Sequence, residues 1–470
     1  MFWEQGPQPL AAGLIFGVGE RDETFPTSEL THLVEHLTMG ALPRTHLESD
    51  ATVHLSWTEF TACGRPQKVA DFLAGVCEAI GDLPLGRLGV ERGVLDAEAG
   101  EIVHPTTGGL LRLRYGAQGM GLAGYDSPAV DQLDEQTVRD YARRHFVRGN
   151  AALWLSGPPP DGLRLPLPDG RRPPRDPQTR RSLPLPCWRP DDVPGVGLSF
   201  EGGWGEEYRS AARILSDRLT DDARHGSGLS YEVDWLALAV DQEVCHYTVW
   251  ADARAGRERE VAERLWTGFR ALAETGPTGD ELAHQLAGVQ EYVADPRSAE
   301  GEASTAAREH LWGMTPTTSQ ALVADVSAVR PGDVAAALRA AADTAIVVVP
   351  ESVRLDLPGL SLGPECTTGE VSGSVLRRRF RSNAPPGATL VIGDDGVTLR
   401  DSEGCHTVRW TRCVGVGVSD GFRLLVDGEG CFVPVFGRDW RDGDRALDTV
   451  DRGAPAHVRF QLPPEAVYGP

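Results

Sequence analysis

Apolar positions recur at helical spacing in two neighbouring stretches, KVADFLAGVCEAI from Lys68 and RLGVERGVLDAEAGEIV from Arg87, and predict two helices joined by a short turn. The same plan returns downstream, where REVAERLWTGFRALAETG from Arg259 is followed by a proline turn and GDELAHQLAGVQEYV from Gly279. Each stretch also closes alike. A helix, VRDYARRHF from Val138 or GDVAAALRAAA from Gly332, runs into an apolar strand, NAALWLSG or TAIVVVPE. Repetition at this scale predicts two homologous domains. Alternating segments such as AAGLIFGVG and EVCHYTVWADA, joined by hairpin-like turns, predict an α+β fold with mainly antiparallel sheets.

Prolines crowd together between Gly157 and Gly195, and helical periodicity disappears there, as in an extended, semi-rigid connector. A second break follows Pro350 and carries Arg377, Arg378, Arg379 and Arg381, read as a solvated linker. Beyond it the pattern changes to short alternating runs punctuated by Gly and Asp, then one helix, RDGDRALDTV. The predicted organisation is a first domain over 1–157, a linker over 158–194 and a second domain over 195–350. A further linker over 351–386 leads to a β-rich module over 387–470, resembling a pleckstrin-homology barrel in its strand count and closing helix.

Composition narrows the partners. A net charge of −22 over 470 residues repels a phosphate backbone or an anionic membrane, so nucleic acid is not expected to bind. No apolar run approaches the ~18–20 residues that span a bilayer, and MFWEQGPQPL lacks the features of a signal peptide, so a cytoplasmic protein is expected. Eight scattered cysteines without a C-x-x-C pair predict neither a zinc ribbon nor a disulfide scaffold.

The chemistry concentrates in PTSELTHLVEHLTMGAL, where Ser28 stands as a helix cap. On a helix, His32, Glu35 and His36 project into one sector. Two histidines at i and i+4 can share one Zn²⁺, and a carboxylate beside them can act as general base. With twelve histidines in the chain, chance supplies about 0.02 such H-x-x-E-H matches. A hydrolytic zinc needs a third protein ligand. The Arg87 helix offers Glu91, Asp96, Glu98 and Glu101, with Glu91 and Glu98 two turns apart on nearly one face.

The series Gly19, Arg21, Asp22, Glu23, then His32, Glu35, His36 and Gly40, then Glu91, Arg92 and Glu98, resembles the insulinase and mitochondrial-processing-peptidase family of pitrilysin-type zinc peptidases over residues 10–350. The resemblance implies zinc held by His32, His36 and Glu98, Glu35 as general base, and Glu91 supporting the ligands. It also implies that Arg224 and Tyr231, in RHGSGLSYEVDW, grip substrate and stabilise the oxyanion, although an Arg and a Tyr at that spacing are ordinarily structural. The sequence departs from the family in a short interval between His36 and Glu98. Glu29-Leu30-Thr31 replaces a small-residue tripeptide, and Asp50-Ala51 stands where an Asn-Ala pair meets the substrate backbone. The implied protein is a zinc endopeptidase acting on peptides or unfolded precursors. It would work as a homodimer, or as a heterodimer with a related subunit, that shares its sites between chains. The alternative is a silent structural or substrate-presenting subunit.

Overall fold

The computed structural model describes residues 1–98, 102–402 and 404–462; Glu101 and the side chains of Arg224 and His225 lie outside the described residues. Among these residues the chain is α+β, built on four mostly antiparallel sheets.

The first sheet contains β1 (Phe2–Trp3), β2 (Leu10–Phe16), β3 (Glu48–Val53), β4 (Thr58–Gly64) and β5 (Ala151–Leu155) in the order β1-β5-β2-β4-β3. It carries α1 (Leu30–Ala41), α2 (Pro66–Gly81), α3 (Leu88–Glu98), α4 (Pro105–Tyr115) and α5 (Glu135–His145). The second sheet contains β6 (Cys187–Asp191), β7 (Gly195–Gly202), β8 (Val233–Ala239), β9 (Cys245–Asp252), β10 (Ile346–Pro350) and β11 (Ser361–Leu362), ordered β11-β6-β10-β7-β9-β8. Its helices are α6 (Glu206–Leu219), α7 (Glu258–Thr275), α8 (Gly279–Ala294), α9 (Ser298–Leu311), α10 (Ser319–Ala328) and α11 (Pro331–Ala341).

The two halves exchange helices. Ala303, Ala307 and Leu311 of α9 pack onto Ala11, Ile15, Ala152 and Trp154 of the first sheet. Reciprocally, Leu110 and Leu113 of α4 pack against Cys187, Ile346 and Val348 of the second. Each sheet is therefore covered on both faces, and every residue of β2 is buried. The strict alternation expected of AAGLIFG is absent for this reason: a strand covered twice has no solvent face to mark with polar residues.

Two stretches read as linkers also contribute strands. Cys187–Asp191 forms β6, parallel to β10, because the Cys-Trp pair buries against the second sheet. Ser374–Arg377 forms β12. It opens a four-stranded sheet with β13 (Thr389–Gly393), β14 (Gly396–Arg400) and β15 (Cys405–Arg409). A companion sheet holds β16 (Cys413–Ser419), β17 (Phe422–Asp427), β18 (Phe432–Phe436) and, after α12 (Gly443–Gly453), β19 (Arg459–Gln461). Leu390, Val408, Val416, Leu425, Trp440 and Val450 join both sheets and α12 in one core.

This module is joined to the first half through a shared cluster in which Phe25, Ala117 and Leu122 meet Leu424, Val426 and Phe460. Gly116 ends α4 at φ 73°, where a Cβ would collide with the carbonyl oxygen of Gly428. The scattered cysteines build no disulfide scaffold among the described residues, but one pair is joined: Cys366 and Cys431 form a disulfide across 65 residues. Pairing depends on folded proximity, which scattered spacing does not reveal. Among the described residues no helix is long and apolar enough to cross a membrane.

Candidate metal centre

Helix α1 places Leu33, Val34 and Leu37 in the first core, which turns His32 and His36 toward α3 and buries Glu35 beside them. Ser28 does not cap this helix. Its hydroxyl donates back to the carbonyls of Thr24 and Phe25, while the backbone N–H of Thr31 donates to Glu23 Oε1 at 2.6 Å. The cap comes from eight residues upstream, which local spacing could not show. Glu29 enters the helix at φ 74°, a left-handed conformation costly for a residue with a Cβ. That turn brings Glu29 Oε2 within 2.9 Å of His32 Nδ1.

The donor atoms converge. His32 Nε2 and His36 Nε2 stand 3.2 Å apart. Glu98 Oε2 is 3.2 Å from His36 Nε2 and 3.7 Å from His32 Nε2. Tetrahedral zinc with bonds of about 2.0–2.2 Å requires neighbouring donors about 3.3–3.5 Å apart, so this triangle fits the ion. The outer ring nitrogens reinforce the fit. His32 Nδ1 faces Glu29, and His36 Nδ1 lies 3.7 Å from Glu91 Oε2, so carboxylates can fix the tautomers that aim both Nε2 lone pairs inward. Glu91 is itself buried and anchored by Arg87 through Nε at 2.9 Å and Nη2 at 2.6 Å. At Gly40 a side chain would press on the Glu91 carboxylate.

Glu35 Oε2 lies 3.8 Å from His32 Nε2 and 3.7 Å from His36 Nε2. Burial pushes its pKa up to about 7; His32 pulls it down, while Glu98, Asp50 and Glu91 push it up. Burial works against a charged His32, but the hydrogen bond to Glu29 and the charges of Glu29, Glu35 and Glu98 together raise its pKa.

Asp50 and Ala51 lie on β3, the edge strand of the first sheet, with Asp50 exposed and close enough to influence Glu35. The far edge of β3 carries no strand among the described residues. Tyr231 stands in the loop entering β8 on the second sheet. It is 78% exposed, and its backbone N–H donates to Asp252 Oδ1 at 2.8 Å. Arg224 belongs to the π-helical turn Thr220–Gly226, its side chain outside the described residues. The convergent donors come from α1 and α3 of the first half, and Arg224 and Tyr231 belong to segments of the second half.

The Gly19-to-Glu23 motif serves the scaffold. Arg21 donates to the carbonyls of Ala239 at 2.7 Å and Val240 at 3.1 Å, joining the halves. Asp22 accepts from Arg175 of the proline-rich stretch and from the Gly19 N–H.

This is the fold of the M16 peptidases. A protease from Helicobacter pylori superposes with a TM-score of 0.60 at 14% identity, over 73% of this chain and 93% of that one. An M16 inactive domain from Pseudomonas fluorescens gives 0.56 at 13%, over 75% and 92%. A putative M16-like peptidase from Alicyclobacillus acidocaldarius gives 0.56 at 14%, over 74% and 98%. No family model matches the chain, and no curated protein matches it in sequence. At such identities the likeness extends to the fold, and one neighbour described as inactive separates that fold from catalysis.

Sequence reasoning missed Glu29, whose only signal was an acid three residues before the first histidine. Glu29→Ala is expected to weaken zinc binding about 10- to 100-fold, the usual cost of losing a carboxylate behind a ligating imidazole. Competition with a chromophoric chelator measures it, and unchanged affinity would assign Glu29 to the helix turn alone.

Proposed function

We propose that the chain is a zinc-dependent endopeptidase. The observation that carries this reading is the triangle of His32 Nε2, His36 Nε2 and Glu98 Oε2 with the buried Glu35 carboxylate alongside. Zinc held by His32, His36 and Glu98 would supply Lewis acidity toward a scissile carbonyl and its attacking water. Glu35 accepts the proton of that water and passes it to the leaving amine. Glu29 and Glu91 keep the two imidazoles turned inward. A peptide aligned as an added strand on β3, along Asp50 and Ala51, would reach this centre in extended form, which favours unfolded or precursor segments. Arg224 and Tyr231 bind the substrate or its oxyanion, and because they belong to the second half we assign them to the site of a partner chain in a dimer.

The test is metal-dependent cleavage of an unfolded-peptide library. Activity is expected to fall to background on chelation and return on adding zinc. Mixing Glu35→Gln and Arg224→Ala chains should restore part of the activity lost in each. Absence of recovery in demonstrated mixed dimers would remove the shared site. Stoichiometric zinc with no cleavage across the library would favour the second reading, a silent structural or substrate-presenting subunit, which the inactive-domain neighbour makes specific.

A further inference from the structure

A second group of metal-ligating side chains lies about the disulfide, remote in sequence from α1 and α3. Cys366 comes from the segment leading to β12, His406 from β15, and Cys431 from the turn between β17 and β18. Cys431 is buried, and the His406 ring is 14% exposed. A disulfide by itself has no use for an imidazole. Here His406 Nδ1 lies 3.6 Å from Cys366 Sγ, and the donor atoms of Cys366, His406 and Cys431 are mutually within 4.8 Å.

Zinc bonds of about 2.3 Å to thiolate and about 2.0–2.1 Å to imidazole, at a tetrahedral angle, separate S from N by about 3.5–3.6 Å. The observed imidazole is already at that separation. Glu365 Oε1 lies 3.9 Å from the same ring nitrogen. Its side chain is 59% exposed and free to rotate toward a fourth vertex, although Arg189 approaches its other oxygen at 3.9 Å. Two sulfurs and one imidazole form a soft donor set that selects zinc over magnesium or calcium.

We propose that Cys366, Cys431 and His406 form a thiol-reversible zinc site, closed as a disulfide under oxidising conditions and opened to metal by reduction. Two equivalents of a low-molecular-weight monothiol reduce the disulfide, giving two cysteine thiols and one small-molecule disulfide. Zn²⁺ then displaces the two thiol protons and is held by two thiolates and the neutral imidazole. The three segments stay pinned together in either state, so in a reducing compartment, where disulfides do not persist, the segment before β12 would stay tied to β15 and the β17–β18 turn.

The experiment titrates the full chain with cobalt(II) after reduction by a monothiol and removal of the thiol under nitrogen. Reduced wild type is expected to develop a thiolate-to-cobalt charge-transfer band that saturates at one added equivalent per chain, or at two where the site on α1 and α3 fills first. The oxidised chain should show none, and re-reduction should restore it. His32, His36 and Glu98 contain no sulfur, so the band does not arise at the first site, and the six free cysteines are present equally in the wild type and in the serine variants that control for them. Cys366→Ser and Cys431→Ser should abolish the band. His406→Ala leaves both cysteines and their disulfide intact, and should weaken cobalt binding about tenfold or more. The proposal is overturned if reduced wild type yields no thiolate band, or if His406→Ala binds cobalt as tightly as wild type.

Discussion

Glu35→Gln is expected to lower the turnover of an unfolded peptide by about 10²- to 10⁴-fold, the range over which a positioned general base acts. Gln keeps the shape of the side chain and one acceptor oxygen but cannot take up a proton at neutral pH. The distances make the metal content of this variant as informative as its rate. Glu35 Oε2 is 3.7 Å from His36 Nε2, whereas Glu98 Oε2 is 3.2 Å from it, so both acids are near enough to be weighed as ligands. If Glu35 is the base, zinc stays stoichiometric and only kcat collapses. Loss of zinc along with activity would make it a ligand, and an undiminished rate would remove Glu35 from the chemistry.

A large effect on stability is expected at Gly116. A side chain there meets two costs: a positive-φ backbone that glycine alone adopts readily (φ 73°, ψ −153°), about 1–3 kcal/mol, and overpacking against the Gly428 carbonyl, about 1–3 kcal/mol. Gly421 has φ 67° but nothing within 4 Å of an added Cβ, so Gly421→Ala meets only the first cost. Gly116→Ala is therefore expected to lower the midpoint of thermal unfolding by on the order of 5–10 °C, and Gly421→Ala by less than half as much. Equal shifts would mean that the close approach between α4 and the β17–β18 turn contributes nothing.

What was legible in the sequence was local. The periodic apolar positions of α2, α7, α8 and α11 gave those helices near their observed bounds, since a helix that buries one face must repeat that face, while α3, expected to run to Val103, spans Leu88–Glu98 and residues 102–103 are not helical. The i, i+3, i+4 spacing of His32, Glu35 and His36 gave their common direction, which helical geometry fixes. Glu98 emerged as one acid among several, because its approach to the histidines depends on how α3 packs on α1. Three other features stayed hidden for the same reason. The Glu23 carboxylate caps a helix eight residues on, Arg21 reaches carbonyls more than two hundred residues away, and Cys366 finds Cys431 across the β-rich module. Each is a contact between segments that share no period.

The reciprocal seating of α4 and α9 has a consequence for how the molecule comes apart. A chain cut once within the proline-rich stretch would not yield two autonomous fragments. Each would be missing a wall of its own interior and would hold in exposed form the wall its counterpart lacks. Severed pieces would stay clasped as a nicked whole, and fragments synthesised separately would need one another at birth.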